Sequence, residues 1–227
     1  MPKKPSAYTN PLCVNKMPRR EKTSNSSADV RLRVAREAAF LLYFGLEKEY
    51  KQAKLKAAHN VGVHVLPSNL EVALELDLLA EENEGPARTQ RLIEMRKEAL
   101  AIMKALKAYC PLLIGSVWRG TIRRSSDIDI SAYHDAPQEI VDHIKTAGLK
   151  ISKTERMTLA KHGKTEDSFH IHATTPTNYA VEVTVRNAEE AGKKRTCDTF
   201  GDEIKGLTLH ELEKLLQANP AQRFLPN

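Results

Sequence analysis

Apolar residues recur every three or four positions from Val30 through Val34, Ala38, Leu41, Leu42, Leu46 and Tyr50. That spacing predicts one long helix, with Asp29 as its N-cap, ending before Asn60 and Gly62. Ser68, with Glu71 three residues later, forms a capping box ahead of an apolar run through Leu78 and predicts a second helix over 69–82. Gly85-Pro86 then breaks the pattern and puts a proline at the first position of a third helix. Its apolar face is Leu92, Met95, Leu100, Met103 and Leu106, and it ends near Tyr109. Beyond it the period shortens. Leu112, Leu113 and Ile114 read as a short buried strand ended by Gly115 and Ser116, a helical turn carries Val117 and Trp118 to Gly120, and Asp127-Ile128-Asp129-Ile130 alternates as a second strand. A helix over 136–146, an extended segment over 150–158 and a hairpin pairing 169–173 with 180–185 follow. Thr208 with Glu211 caps a last helix through Leu212, Leu215 and Leu216. The order predicts an α+β protein with a helical region over 29–110 and a mixed unit over 111–227.

Composition narrows the classes. Among 227 residues no apolar run approaches the roughly 20 needed to cross a bilayer, so no membrane partner is expected. Lys3, Lys4 and Pro5 have no apolar stretch after them, unlike a secretory signal, and a cytoplasmic protein is expected. Cys13, Cys110 and Cys197 are widely spaced and form no CxxC pair, which points to neither a disulfide framework nor a thiolate zinc site. The net charge of +6 is unevenly spread, because residues 1–28 hold Lys3, Lys4, Lys16, Arg19, Arg20 and Lys22 against Glu21 alone. This proline-containing stretch reads as a flexible basic arm, suited either to phosphate backbones or simply to solubility. Lys48, Lys51 and Lys54 add a stripe along the predicted first helix, which would meet a polyanion or water.

The chemistry concentrates in residues 112–130, L-L-I-G-S-V-W-R-G-T-I-R-R-S-S-D-I-D-I. Period-two alternation sends Asp127 and Asp129 to one face of a strand and Ile128 and Ile130 to the other. Two neighbouring carboxylates on an otherwise buried strand repel each other and lose hydration, a conflict that a divalent cation resolves. Upstream, Gly115 lets the backbone approach a ligand closely, and the Ser116 hydroxyl can donate to phosphate oxygens. Carboxylate-held cations beside a phosphate cradle suit in-line displacement at a triphosphate.

The pattern G-S-x-x-x-G-x5-S-D-x-D, with Gly115, Ser116, Gly120, Ser126, Asp127 and Asp129 on its fixed positions, resembles the signature of the DNA polymerase beta-like nucleotidyltransferase superfamily, in particular its small stand-alone members. The resemblance implies a mixed sheet with helices on one face. It also implies transfer of a nucleoside monophosphate from a nucleoside triphosphate to a hydroxyl, with two Mg2+ ions, or Mn2+ in their place. Asp127 and Asp129 would hold the ions, and Gly115, Ser116, Gly120, Arg124 and Ser126 would lie at the nucleotide. The superfamily needs a third carboxylate on a later strand, and Glu182, between Val181 and Val183, is the candidate. His170 and His172 share Glu182's face if Phe169 and Ile171 pair with the valines. Arg119 and Arg123 flank the same loop. The acceptor stays open: RNA or tRNA, a protein hydroxyl or a small metabolite. Two alternatives remain beside it, a toxin-antitoxin enzyme that modifies a helical partner protein and a catalytically idle nucleic-acid-binding protein.

Overall fold

The computed structural model describes residues 26–161 and 164–226. The expected basic arm over 1–25, with Cys13, lies outside them. The first helix, α1 (Ser27–Tyr43), starts earlier than its apolar spacing suggested: Ser26 is the N-cap, and Asp29 is the acidic partner that closes its capping box. It also stops earlier. Gly45 at φ 69° turns the chain back, with the Leu46 amide donating to the Leu41 carbonyl at 2.9 Å. A separate helix, α2 (Tyr50–Val61), replaces the second half of the single long helix read from periodicity, which registers apolar spacing but not the one glycine that reverses direction. The lysine stripe breaks with it, since Lys48 precedes α2 and the Lys54 ammonium bonds Asn69 Oδ1 at 2.8 Å.

The third helix, α3 (Asn69–Glu84), carries the expected Ser68–Glu71 capping box. It packs with α1 and α2 around Val34, Ala38, Leu41, Leu42, Ala53, Ala57 and Val72. The next helix, α4 (Pro86–Ala105), joins a second and larger core, where Leu92, Met95, Ala99 and Met103 meet the sheet.

That sheet has six strands. In chain order they are β1 (Leu112–Ile114), β2 (Ile128–Tyr133), β3 (Lys150–Lys161), β4 (Lys164–Thr174), β5 (Ala180–Arg186) and β6 (Leu207–Thr208), arranged β3-β4-β5-β2-β1-β6. Only β2 and β5 pair in parallel, so the sheet is mixed. A five-residue helix, α5 (Gly115–Arg119), links β1 to the loop before β2, while α6 (Pro137–Thr146) and α7 (Leu209–Ala218) cover the same face as α4. Ile128, Ile130, Val181, Val183 and Val185 point into this core. Slipping β5 by one residue would bury Glu182 in place of a valine, forfeiting about 1.5–3 kcal/mol per valine and stranding a carboxylate. Burial therefore fixes the register that sends Glu182 to the opposite face.

One residue joins α4, α5 and the C-terminal segment. Arg96 is fully buried on the apolar face of α4 and donates to the carbonyls of Val117 (3.1 Å), Trp118 (2.8 Å), Pro220 (2.6 Å) and Gln222 (2.9 Å). Burial lowers its guanidinium to about 10, so it keeps its charge at neutral pH. Replacing it with leucine leaves those acceptors without a donor inside the fold. Arg96→Leu is expected to lower stability by about 3 kcal/mol or more, read from urea unfolding midpoints at unchanged slope.

Candidate functional site

The site is assembled from three chain segments that meet on the face of the sheet opposite the large core. Asp127 closes the loop before β2, Asp129 is the second residue of β2, and the parallel pairing sets Asp129 directly beside Glu182 on β5. Alternation aims all three side chains the same way, and one ligand oxygen from each lies within 4.8 Å of the others. All three are half-buried. Burial raises the Asp127 carboxyl above the ordinary aspartate range, with the Glu182 charge adding to it. Asp129 is pushed well above that range, first by burial and then by the charges of Asp127 and Glu182. Among the described residues neither Asp127 nor Asp129 forms an ion pair, and the charge of Arg123 acts on Asp127 only from a distance.

Gly115 is held in place by the same geometry. It sits at φ 70°, where side chains are strained, and a Cβ there would come within 1.9 Å of Asp129 Oδ2. The carboxylate and the opening of α5 can be this close only because residue 115 has no side chain. Ser116 follows, its hydroxyl donating to Ser126 Oγ at 3.1 Å, and the Arg123 amide donates to the same Ser126 oxygen at 3.0 Å. Ser126 thus ties the arginine loop to the start of α5.

Gly115, Ser116, Ser126, Asp127 and Asp129 all line one cavity of about 280 Å3. The rest of its lining is unanticipated by the sequence pattern: Tyr50 of α2 and Leu76 and Asp77 of α3 contribute to it, with Cys197, Thr199 and Phe200. Asn69 Nδ2 donates to the Asp198 carbonyl at 3.0 Å and pins that side loop to α3.

The remaining candidates, Arg119 and Arg123 apart, stand outside this lining. Gly120 is the left-handed C-cap of α5, packed against Arg223, and does not line the cavity. Arg124 is exposed and turned toward the helical region, its amide donating to Glu84 Oε1 at 3.0 Å. Arg119 is buried between the Trp118 and Phe200 rings, 4.4 and 4.2 Å from their centroids, and is paired through both nitrogens with Asp202. Arg123 lines the cavity while donating to the Leu42 carbonyl at 2.9 Å. Phe169 and Ile171 pair with Val185 and Val183, which places both histidines on Glu182's face. His170 Nδ1 lies 2.5 Å from Glu182 Oε1, and His172 Nε2 lies 3.0 Å from Glu155 Oε1.

No protein-family model matches the chain, and neither does any curated protein. Among solved structures it is similar to a cytoplasmic RNA terminal U-transferase, with 15% identity over 52% of this chain and 35% of that one at a TM-score of 0.28. It is similar to a GLD-2/RNP-8 complex, with 17% identity over 53% and 40% at a TM-score of 0.32. JHP933 from Helicobacter pylori gives 15% identity over 52% and 51% at a TM-score of 0.28. The chain thus spans about a third to a half of the length of those chains. It is the sequence signature, with Gly115, Ser116, Gly120, Ser126, Asp127 and Asp129 on its fixed positions, that resembles the polymerase beta-like nucleotidyltransferase superfamily.

Two outcomes follow from the geometry. Gly115→Ala adds a left-handed strain and a clash with Asp129, and is expected to cost about 2 kcal/mol or more in urea unfolding. The second concerns pH. A carboxyl whose folded value is raised stabilises the fold below the ordinary aspartate range and loses that contribution as pH rises through the raised value. In a chelator, wild type should therefore lose stability relative to Asp129→Asn as pH rises above the ordinary aspartate range, with thermal melts diverging as pH climbs.

Proposed function

We propose that the protein is a metal-dependent nucleotidyltransferase that moves a nucleoside monophosphate from a nucleoside triphosphate to a hydroxyl, with release of pyrophosphate. The observation that carries this reading is the cluster of Asp127, Asp129 and Glu182 within 4.8 Å, beside a glycine that must lack a Cβ for the cluster to form. The donor set fits a hard divalent cation, being all carboxylate oxygen, and the raised Asp129 carboxyl marks a place where positive charge is wanted. Mg2+ is the proposed ion, held by the three carboxylates. Such an ion, when bound, neutralises phosphate charge and makes a hydroxyl easier to deprotonate.

The chain's own groups would supply the rest. Ser116 and the backbone freed by Gly115 would hold phosphate oxygens at the mouth of α5, with Arg123 on the same wall. Ser126 orients Ser116 and supports the loop. The acceptor hydroxyl gives up its proton to water as its oxygen attacks the α-phosphorus, the bond to the bridging oxygen breaks, and pyrophosphate departs with that electron pair. Glu182, on a separate strand from the two aspartates, faces the acceptor side. Tyr50 and Phe200 give the cavity aromatic walls, which suit a nucleobase.

RNA or tRNA is the favoured acceptor, supported by the six basic residues against one acid in residues 1–28. A partner protein is the second reading, favoured by the exposed Phe40, Phe44, Leu46 and Leu78 on the helical region. Incubating the protein with each α-labelled nucleoside triphosphate, Mg2+ and total RNA should put label into RNA, whereas label in protein would favour the second reading. Asp129→Ala is expected to abolish Mg2+-dependent pyrophosphate release without unfolding the chain, and unchanged turnover would sink the assignment. Mg2+ at a hundredfold excess over its Kd should stabilise wild type by about 2.7 kcal/mol and leave Asp129→Ala unmoved in the same melts.

A further inference from the structure

Among the described residues Glu182 differs from the two aspartates in having a side-chain partner. His170 Nδ1 is 2.5 Å from its Oε1, and the other ring nitrogen is 2.8 Å from the hydroxyl of Ser168, which is buried. Ser168, His170 and Glu182 thus form one hydrogen-bonded line across β4 and β5. The register explains why this histidine and not its neighbour is used. His172 is the residue directly opposite Glu182, yet its ring turns outward to Glu155 on β3, while His170, opposite Thr184, reaches Glu182 on the diagonal. Only 15% of the His170 side chain and 25% of the Glu182 side chain are exposed, so water competes weakly for the contact.

An ionised carboxylate only accepts hydrogen bonds, so His170 Nδ1 is the donor in this pair. With Oε1 engaged, the carboxylate plane is set, and its second oxygen is the one left for the group that Asp127 and Asp129 face. Without the ring, Glu182 would be free to rotate about its terminal bond, a broad and roughly two-fold torsion. We infer that His170, anchored by Ser168, is a positioning residue that presents Glu182 Oε2 to a divalent cation. The inference rests on the metal-dependent reading above and deepens it. Carboxylate, imidazole and hydroxyl form a supporting chain behind one ligand, of the kind whose loss commonly weakens metal binding about 10–100-fold.

Mn2+ binding to the full chain, followed by electron paramagnetic resonance and by calorimetry without nucleotide, provides the test. His170→Ala should fold, as judged by circular dichroism, and lose about tenfold or more in Mn2+ affinity. His170→Asn, whose side-chain amide can place a donor near the Nδ1 position, should recover most of it. Ser168→Ala removes only the outer anchor and should produce a smaller loss in the same direction, which decides the matter if the alanine variant at 170 does not fold. Wild-type affinity in folded His170→Ala, or equal losses in the alanine and asparagine variants, would overturn the positioning role. If that happens while Asp129→Asn still abolishes binding, the metal-dependent reading stands without it. If wild type binds no Mn2+, both fall.

Discussion

The parallel pairing of β2 with β5 is the constraint from which the site follows. Two strands distant in sequence are locked side by side because Ile128, Ile130, Val181, Val183 and Val185 have only one face on which to be buried. The alternating positions are then forced to the other face, and they carry carboxylates. Hydrophobic burial thereby supplies the free energy that holds like charges together, charges that would separate if the strands could slip. Gly115 belongs to the same constraint, since a side chain there would collide with the carboxylate that the register delivers. Protons relieve the repulsion this leaves at low pH, and a bound cation would relieve it where the carboxyls ionise.

The distribution of positive charge sharpens the point. The two arginines that line the cavity are committed to other partners, Arg119 to Asp202 and Arg123 to the Leu42 carbonyl, and beyond the cavity Arg88 pairs with Asp77 and Glu81, Arg91 with Glu84, and Arg96 with four carbonyls. Each fastens one segment to another. Arg119 holds the loop that contains Phe200, and Arg88 links α3 to the Ile122 carbonyl on the signature loop. These arginines therefore serve to fix walls, and they leave Asp127 and Asp129 without an ion pair among the described residues.

Much of this was legible in the residues. The strand-turn-strand around Gly115 and Asp129 was readable because its periodicity, its glycine and its paired acids all agree. Glu182 was sought because the resemblance implies a third carboxylate on a later strand, and alternation within a valine-rich strand then placed it on the face of the aspartates. What stayed hidden depended on long-range packing. Arg96 sits among Leu92, Ala99 and Met103 at helical spacing, and a lone charge on an apolar face was a signal that a buried donor was needed, though not which carbonyls it would meet. The break at Gly45 was obscured because apolar spacing continues through it. The wall formed by Tyr50, Leu76 and Asp77 had no local mark at all, since it exists only once α2 and α3 are folded against the sheet.

That wall rests on a different balance of forces from the carboxylate face. The core of α1, α2 and α3 is rich in alanine, with Val34, Leu41, Leu42 and Val72 as its larger buried side chains, whereas the sheet core contains many isoleucines, leucines and valines with Met95, Met103 and Trp118. Less apolar area is removed from water per residue, so the helical unit gains less from its own interior. Its hold on the carboxylate face comes instead from directed polar contacts: Arg123 to the Leu42 carbonyl, Asn69 to the Asp198 carbonyl, and Arg88 between Asp77, Glu81 and Ile122. Contacts of this kind each contribute about 0.5–3 kcal/mol and are geometrically demanding. The cavity is therefore bounded on one side by a sheet that burial makes rigid, and on the other by helices whose distance is set by a few hydrogen bonds. A ligand that bridges the two walls would add to the weaker set, and so would stabilise the helical side most.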